Sequence, residues 1–215
     1  AIQKDLITKC RLLGRRVITA TEMLESMINN PRPTRAEASD VANAVYDGTS
    51  AIMLSGETAA GHYPIQAVEA MSKIAENTEQ NINYKKRFYS GDFIIKNEPD
   101  AISHATCGMA IDIEAKAIVA CTISGMTARL VSRFRGPVDI IGLTTDEKTW
   151  RKLALSWGVI PKMCERFEST DVLFYSAKKV AEETLQLCKG DKLVITGGIA
   201  NGVSGSTNLI KVENI

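Results

Sequence analysis

Apolar residues recur at helical spacing near the start of the chain (Ile2, Leu6, Ile7, Cys10 and Leu13), and Gly14 follows as a helix stop. RVITAT, residues 16–21, then reads as a strand. NNPRPTRAE, residues 29–37, is a loop by its prolines and asparagines. Ser39 or Thr34 can cap the helix behind it, whose apolar face includes Val41, Ala42, Ala44 and Val45 and which Gly48 ends. SAIML, residues 50–54, is a second strand. YPIQAVEAMSKIAENTEQNI, residues 63–82, is a long helix with proline in its first turn and apolar positions Ile65, Val68, Met71 and Ile74.

After a charged, aperiodic stretch that contains Gly91 and Pro99, a second series begins. A helix starts at Asp100 or Ser103 and runs to about Ile113. AIVACT, VDIIGLT, GVIPKMC, KLVITGG and NLIKVENI read as strands. TARLVSRF, KTWRKLALSW and a segment from Asp171 to Leu187 read as helices. Strands that alternate with helices imply parallel βα units, buried on both faces. The short link between the last two strands favours an antiparallel return, because a parallel one needs a crossover of about a dozen residues.

The fold class is therefore α/β, in three parts: residues 1–84, a linker at 85–100, and a small α/β domain at 101–215 with a mainly parallel five-stranded sheet. Two strands cannot close a sheet, so the first part reads as the tail of a larger α/β structure with strands upstream. The start at Ala1 without methionine fits a piece of a longer chain.

Composition adds mainly exclusions. The 215 residues are 45% hydrophobic and 24% charged, with a net charge of +1. That is an ordinary globular balance, without the basic stripe that nucleic acid or an anionic membrane requires. No apolar run approaches the ~20 residues of a membrane-spanning helix, so neither nucleic acid nor membrane is expected as a partner. Five cysteines are widely spaced without a CxxC pair, and they read as small buried hydrophobes in a reducing compartment. The two histidines, His62 and His104, lack ligand partners at metal-binding spacing and read as helix-start or packing residues. Trp150 and Trp157 lie seven apart on one predicted helix, as a buried or interface stripe.

Candidate chemistry gathers past strand ends. Thr19, Ala20 and Thr21 follow one strand, and Ser55, Gly56, Glu57 and Thr58 follow the next. These groups can bind a phosphorylated or carboxylated ligand, relay a proton, or simply cap and turn the chain. Glu22 and Glu25 read as a polar helix face near Thr21. Thr122, Ser124, Gly125, Met126 and Thr127 link a strand to a helix N-terminus, either as an anion cradle or as an ordinary βα turn. TGGIANGVSGSTN, residues 196–208, includes Gly202, Ser204, Gly205 and Thr207. It is either a cover over a ligand or a flexible hairpin tip, and it is not a Walker A loop.

Residues 17–64, VITATEMLESMINNPRPTRAEASDVANAVYDGTSAIMLSGETAAGHYP, closely resemble the last part of the catalytic barrel of the pyruvate kinases. TISGMTAR, LALSWGV and GSTNLIKV resemble that family's C-terminal domain. The resemblance implies the end of a (β/α)8 barrel followed by an effector-binding and oligomerisation domain, in a cytoplasmic homotetramer. It implies phosphoryl transfer from phosphoenolpyruvate to ADP, giving pyruvate and ATP, with Mg2+ or Mn2+ and K+. Thr21 takes the place of the threonine that protonates enolpyruvate. Ser55 and Glu57 take those of the relay residues on the last barrel strand, and Arg35 that of a subunit-interface residue. The same resemblance assigns residues 122–127 to one phosphate of a sugar-phosphate effector or a nucleotide, and residues 202–207 to its cover. Met126 stands where some activated members carry a base. The family's phosphate-neutralising lysine, its metal and potassium ligands and its lid precede this segment. The chain by itself is therefore expected to be inactive; a stand-alone effector module is the alternative.

Overall fold

In the computed structural model the first unit, residues 1–83, is built on two short parallel strands, with Ile18 opposite Ala51 and Thr19 opposite Ile52. Residues 2–91, 93–167, 169–198 and 207–215 of the chain are described. Helix α1 (Ile2–Leu12) precedes strand β1 (Ile18–Thr19), and a 3-10 turn (Glu25–Ile28) leads to α2 (Arg35–Asp47). Then come β2 (Ala51–Ile52), the short α3 (Gly56–Ala59) and α4 (Pro64–Gln80). Thr34 rather than Ser39 caps α2, in a capping box with Glu37. Gly48 closes that helix in the left-handed conformation, at φ 88°.

The strands are shorter than the apolar runs predict. β1 ends because the chain turns left-handed immediately beyond it, at Thr21 (φ 70°) and Glu22 (φ 53°). Backbone bonding still extends past the ladder, since Ser50 and Ala51 donate to the Val17 carbonyl and Met53 donates to Thr19. Met23, Leu24 and Met27 pack with Val41, Ala44 and Met71 in the core of this unit. Only Ile7 of α1 is buried, while Ile2 remains 77% exposed.

The second unit, residues 84–215, is a three-layer sandwich. Its elements are α5 (Tyr84–Tyr89), α6 (Glu98–Asp112), β3 (Ala117–Cys121), α7 (Met126–Ser132), β4 (Asp139–Thr144) and α8 (Glu147–Leu153), then β5 (Val159–Met163), α9 (Thr170–Leu185), β6 (Lys192–Gly197) and β7 (Leu209–Asn214). The sheet order is β5-β4-β3-β6-β7, parallel except for antiparallel β7. This is the mainly parallel five-stranded sheet the pattern predicts. Alternate strand residues serve opposite faces: Ile118 and Val194 pack with α6 and α7, whereas Val119 and Ile195 pack with Leu173, Ala177 and Ala181 of α9.

Two sequence expectations change here. The stretch 85–100, read as a linker, holds most of α5, whose Phe88 is buried against His104 and Phe134. Helix α6 begins at Glu98 because Asn97 accepts from the Asp100 N–H as its cap, and Pro99 sits in the first turn, where a missing N–H costs nothing. Trp157 also lies beyond α8 rather than on it. Its ring meets Tyr84 at 5.4 Å and the Arg135 guanidinium at 5.2 Å, while Trp150 donates from Nε1 to the Pro161 carbonyl.

Candidate functional site

The first candidate site lies where β1 and β2, being parallel, end side by side. The chain beyond β1 makes a left-handed double step at Thr21 and Glu22, a conformation that costs a β-branched threonine energy and persists only where the surroundings impose it. Leu24 and Met27 then plunge into the core, which fixes the far end of the loop. Thr21 stays exposed between these anchors, with Glu22 and Glu25 exposed beside it in sequence.

Glu57 ties this loop to the one beyond β2. Its side chain is fully buried, at 0% exposure, yet both carboxylate oxygens are satisfied: Oε1 accepts from the Leu24 N–H at 3.0 Å and Oε2 from the Ser55 N–H at 2.7 Å. Burial pushes the carboxyl up, but these backbone bonds outweigh it and the net shift is downward, so Glu57 is an anion at neutral pH. The charge of Glu37 works the other way, raising it. Ser55 is half-buried at the start of α3, and Thr58 returns its hydroxyl to the Ser55 carbonyl. Thr19, by contrast, spends its hydroxyl on Thr49, the buried threonine that also donates toward the Val17 and Ala51 carbonyls.

A second carboxylate reaches the same loop from α2. Glu37 Oε1 accepts from the Ser26 N–H at 2.6 Å, and Oε2 accepts from the Ser26 hydroxyl and from the N–H and hydroxyl of Thr34. Sequence reasoning passes over Glu37. Its signal is the T-x-x-E spacing of Thr34 and Glu37, which marks a capping box, but nothing in the sequence announces the added bond to Ser26. Arg35, the expected interface residue, is exposed on the first turn of α2.

The second candidate site is at the C-terminal end of β3. Gly125 caps α7 at φ 80°, and a Cβ there would stand 3.2 Å from Thr149 and 3.4 Å from Leu153, so glycine suits both the backbone and the space. Ser124 is exposed, Thr122 and Met126 are half-buried, and Thr127 is buried. Thr127 and Thr207 share a buried hydroxyl–hydroxyl bond of 2.7 Å. Those two hydroxyls therefore join the first turn of α7 to the chain entering β7 rather than facing solvent. Gly202, Ser204 and Gly205 lie outside the described residues.

The remaining candidates are structural. His104 stacks on Phe88 at 4.8 Å and meets Phe134 edge-on at 5.2 Å. The five cysteines are free thiols; Cys107 and Cys121 are buried and Cys188 is exposed. Among the described residues no three His, Cys, Asp or Glu side chains gather closely enough to hold a metal, and no helix is long and apolar enough to cross a membrane.

Comparison with known proteins gives matches to two family descriptions, "Pyruvate kinase, barrel domain" over residues 1–68 and "Pyruvate kinase, alpha/beta domain" over residues 100–213. The chain is 50% identical to the pyruvate kinase of Clostridium acetobutylicum, covering 99% of this chain and 45% of that protein. It is 49% identical to the pyruvate kinase of Staphylococcus epidermidis, covering 99% of this chain and 36% of that protein. A crystal structure of a pyruvate kinase from Cryptosporidium parvum superposes with a TM-score of 0.89 at 37% identity, over 99% of this chain and 42% of that one. The chain thus spans less than half the length of each of these relatives.

Proposed function

The chain belongs to the pyruvate kinase family, and from that premise we propose that it forms the end of the catalytic barrel and the C-terminal domain of an enzyme that transfers the phosphoryl group of phosphoenolpyruvate to ADP. The observation that carries this reading is the joined pair of loops at the ends of β1 and β2, with Thr21 held in a costly backbone conformation at an exposed position. Loss of the phosphoryl group leaves an enolate, whose CH2 carbon must take up a proton to become the methyl of pyruvate. The Thr21 hydroxyl supplies that proton and is reprotonated through Ser55 and water. Glu57 does not pass the proton itself: it is ionised, and both of its oxygens are engaged by N–H donors. It holds the two loops together.

The divalent ion and K+ of such an enzyme supply charge neutralisation at the transferring group. Among the described residues no three His, Cys, Asp or Glu side chains gather to hold the divalent ion. The protein works as a cytoplasmic homotetramer, with Arg35 at a subunit interface. An anionic effector, a sugar phosphate or a nucleotide, binds at Thr122–Thr127. The exposed Ser124, beside a first turn of α7 whose glycine cap supplies no side-chain acceptor, favours that second assignment.

The test is the native polypeptide that carries this chain, assayed for ATP and pyruvate formation. Thr21→Ala is expected to lower kcat at least tenfold while KM for phosphoenolpyruvate changes little. Equal losses in kcat and in binding would remove the proton-transfer role. For the effector, calorimetric titration with fructose 1,6-bisphosphate is expected to saturate and to be abolished by Ser124→Asp. Binding that survives that substitution removes the assignment.

A further inference from the structure

We infer that Glu37 is a positioning residue for proton transfer, holding the Thr21 loop in place through Ser26. The inference rests on the reading of Thr21 given above. A glutamate at the third position of a helix ordinarily does one thing, which is to complete the capping box. Glu37 does that with Thr34, but it has a second engagement that capping does not require. Its Oε1 takes the Ser26 N–H at 2.6 Å, eleven residues back along the chain, and its Oε2 takes the Ser26 hydroxyl.

Ser26 belongs to the short segment that leaves the left-handed step. From Thr21 onward the chain has five residues in which to descend, and it is gripped twice on the way. Glu57 holds the Leu24 N–H and Glu37 holds the Ser26 N–H. Two residues apart, these N–H groups are taken by carboxylates from two different elements, α3 and α2. Buried Leu24 and Met27 supply apolar anchorage, and the Leu24 and Ser26 carbonyls accept from Met27 and from Asn29 and Asn30, while the two carboxylates take the Leu24 and Ser26 N–H groups. A strained pair such as Thr21 and Glu22 relaxes unless its surroundings over-determine it, and these charge-assisted bonds act on the chain within five residues of it.

The two grips differ in kind. Glu57 joins the loop to Ser55, across the site, whereas Glu37 joins it to the helix that begins behind the loop. Both carboxyls are drawn below their ordinary range: burial raises each, and hydrogen bonds more than offset it. The pair therefore acts as two anions near neutral pH, each stabilised by the N–H or hydroxyl donors around it. Removing Glu37 leaves the Leu24 N–H held but deprives the Ser26 N–H and hydroxyl of their acceptor, leaving Ser26 tied only through its carbonyl to Asn29 and Asn30; that loosening lets Thr21 relax toward ordinary backbone angles and carries its hydroxyl away from the reacting carbon.

The test uses the native, full-length enzyme in three forms: wild type, Glu37→Gln and Thr34→Ala. Glutamine keeps the size of Glu37 but turns one acceptor into a donor, which opposes the N–H groups it must receive. Thr34→Ala damages the same helix cap while leaving the Ser26 contacts, and so serves as the control for lost capping alone. Expected for Glu37→Gln is a kcat reduced tenfold or more, KM for phosphoenolpyruvate within twofold, and a parallel fall in the rate at which solvent deuterium enters the methyl group of pyruvate. Thr34→Ala is expected to melt at a lower temperature with kcat within twofold of wild type. An active wild type with kcat in Glu37→Gln also within twofold overturns the inference, as do equal kcat losses in the two variants.

Amide hydrogen exchange gives a readout independent of turnover. Protection of the Ser26 amide is expected to be lost in Glu37→Gln and kept in Thr34→Ala. If wild type transfers no phosphoryl group, the reading of the reaction fails and exchange alone decides whether the grip exists: unchanged protection in Glu37→Gln overturns it, and selective loss sustains it.

Discussion

His104 shows how little a residue type reveals before its neighbours are known. In sequence it is a histidine without ligand partners; in the fold it is a flat ring between Phe88 and Phe134, beside the Arg133 guanidinium that pairs with Asp100 at 3.0 Å. Burial, and then the charge of Arg133, hold its pKa below the ordinary 6.5. The unfolded chain takes up a proton near pH 6.5, the folded chain only at lower pH, so stability falls as pH drops below 6.5 and levels off once the folded pKa is passed. Urea midpoints of the second unit are expected to decline between pH 7 and 5, and His104→Phe, which keeps the stack and removes the proton, is expected to flatten that part of the curve. An unchanged slope in His104→Phe would show that another group carries the titration. The same limit on legibility applies to Glu57. Its position after an apolar run marks it as a candidate group, but the two N–H donors that fix its charge come from residues 33 positions upstream and 2 positions upstream, and only folding unites them.

Elements were legible where their signals are local. The left-handed Gly48 and the proline opening α4 are short-range chemistry, so the stop and start they govern agree with the pattern, whereas the pattern leaves the start of α2 between Ser39 and Thr34 and the capping box with Glu37 decides it. Elements whose limits depend on distant partners were not. β1 and β2 are trimmed by the left-handed step and by the reach of their pairing, and α5 owes its order to a buried Phe88 rather than to any periodicity. The loop before α7 combines both kinds of signal. Gly125 was legible as a turn residue, but the closeness of Thr149 and Leu153, which comes from α8 packing beside it, was not. Gly125→Ala therefore meets two penalties, a left-handed backbone and a tight Cβ. It is expected to lower the stability of the second unit by about 1–2 kcal/mol, as a side chain misfitted at positive φ ordinarily does, read as a reduced chemical-denaturation midpoint with an unchanged m-value. A loss below a few tenths of a kcal/mol would show that the loop shifts freely to accept a side chain.

At the scale of the molecule the two units differ in how completely each satisfies its own parts. In the second unit the central strands β3, β4 and β6 are flanked by paired neighbours and covered on both faces by helices, so their N–H groups open only when the sandwich opens. In the first unit the ladder is two residues long on each strand, Ile18 is 45% exposed, and α1 buries a single side chain. A parallel pair of that size is marginal unless further strands flank it. Native-state amide exchange of the 215-residue chain is accordingly expected to show the slowest amides at Val119, Ile141 and Ile195. Exchange at Thr19 and Met53 is expected to be faster by at least a hundredfold. Adding the rest of a (β/α)8 barrel is expected to close that gap by protecting β1 and β2 while leaving β3, β4 and β6 unchanged, because their partners are already present. Equal protection in the two units of the 215-residue chain would mean that Met23, Leu24 and Met27, with the Glu37 and Glu57 grips on the loop that carries them, stabilise the barrel end without a closed sheet.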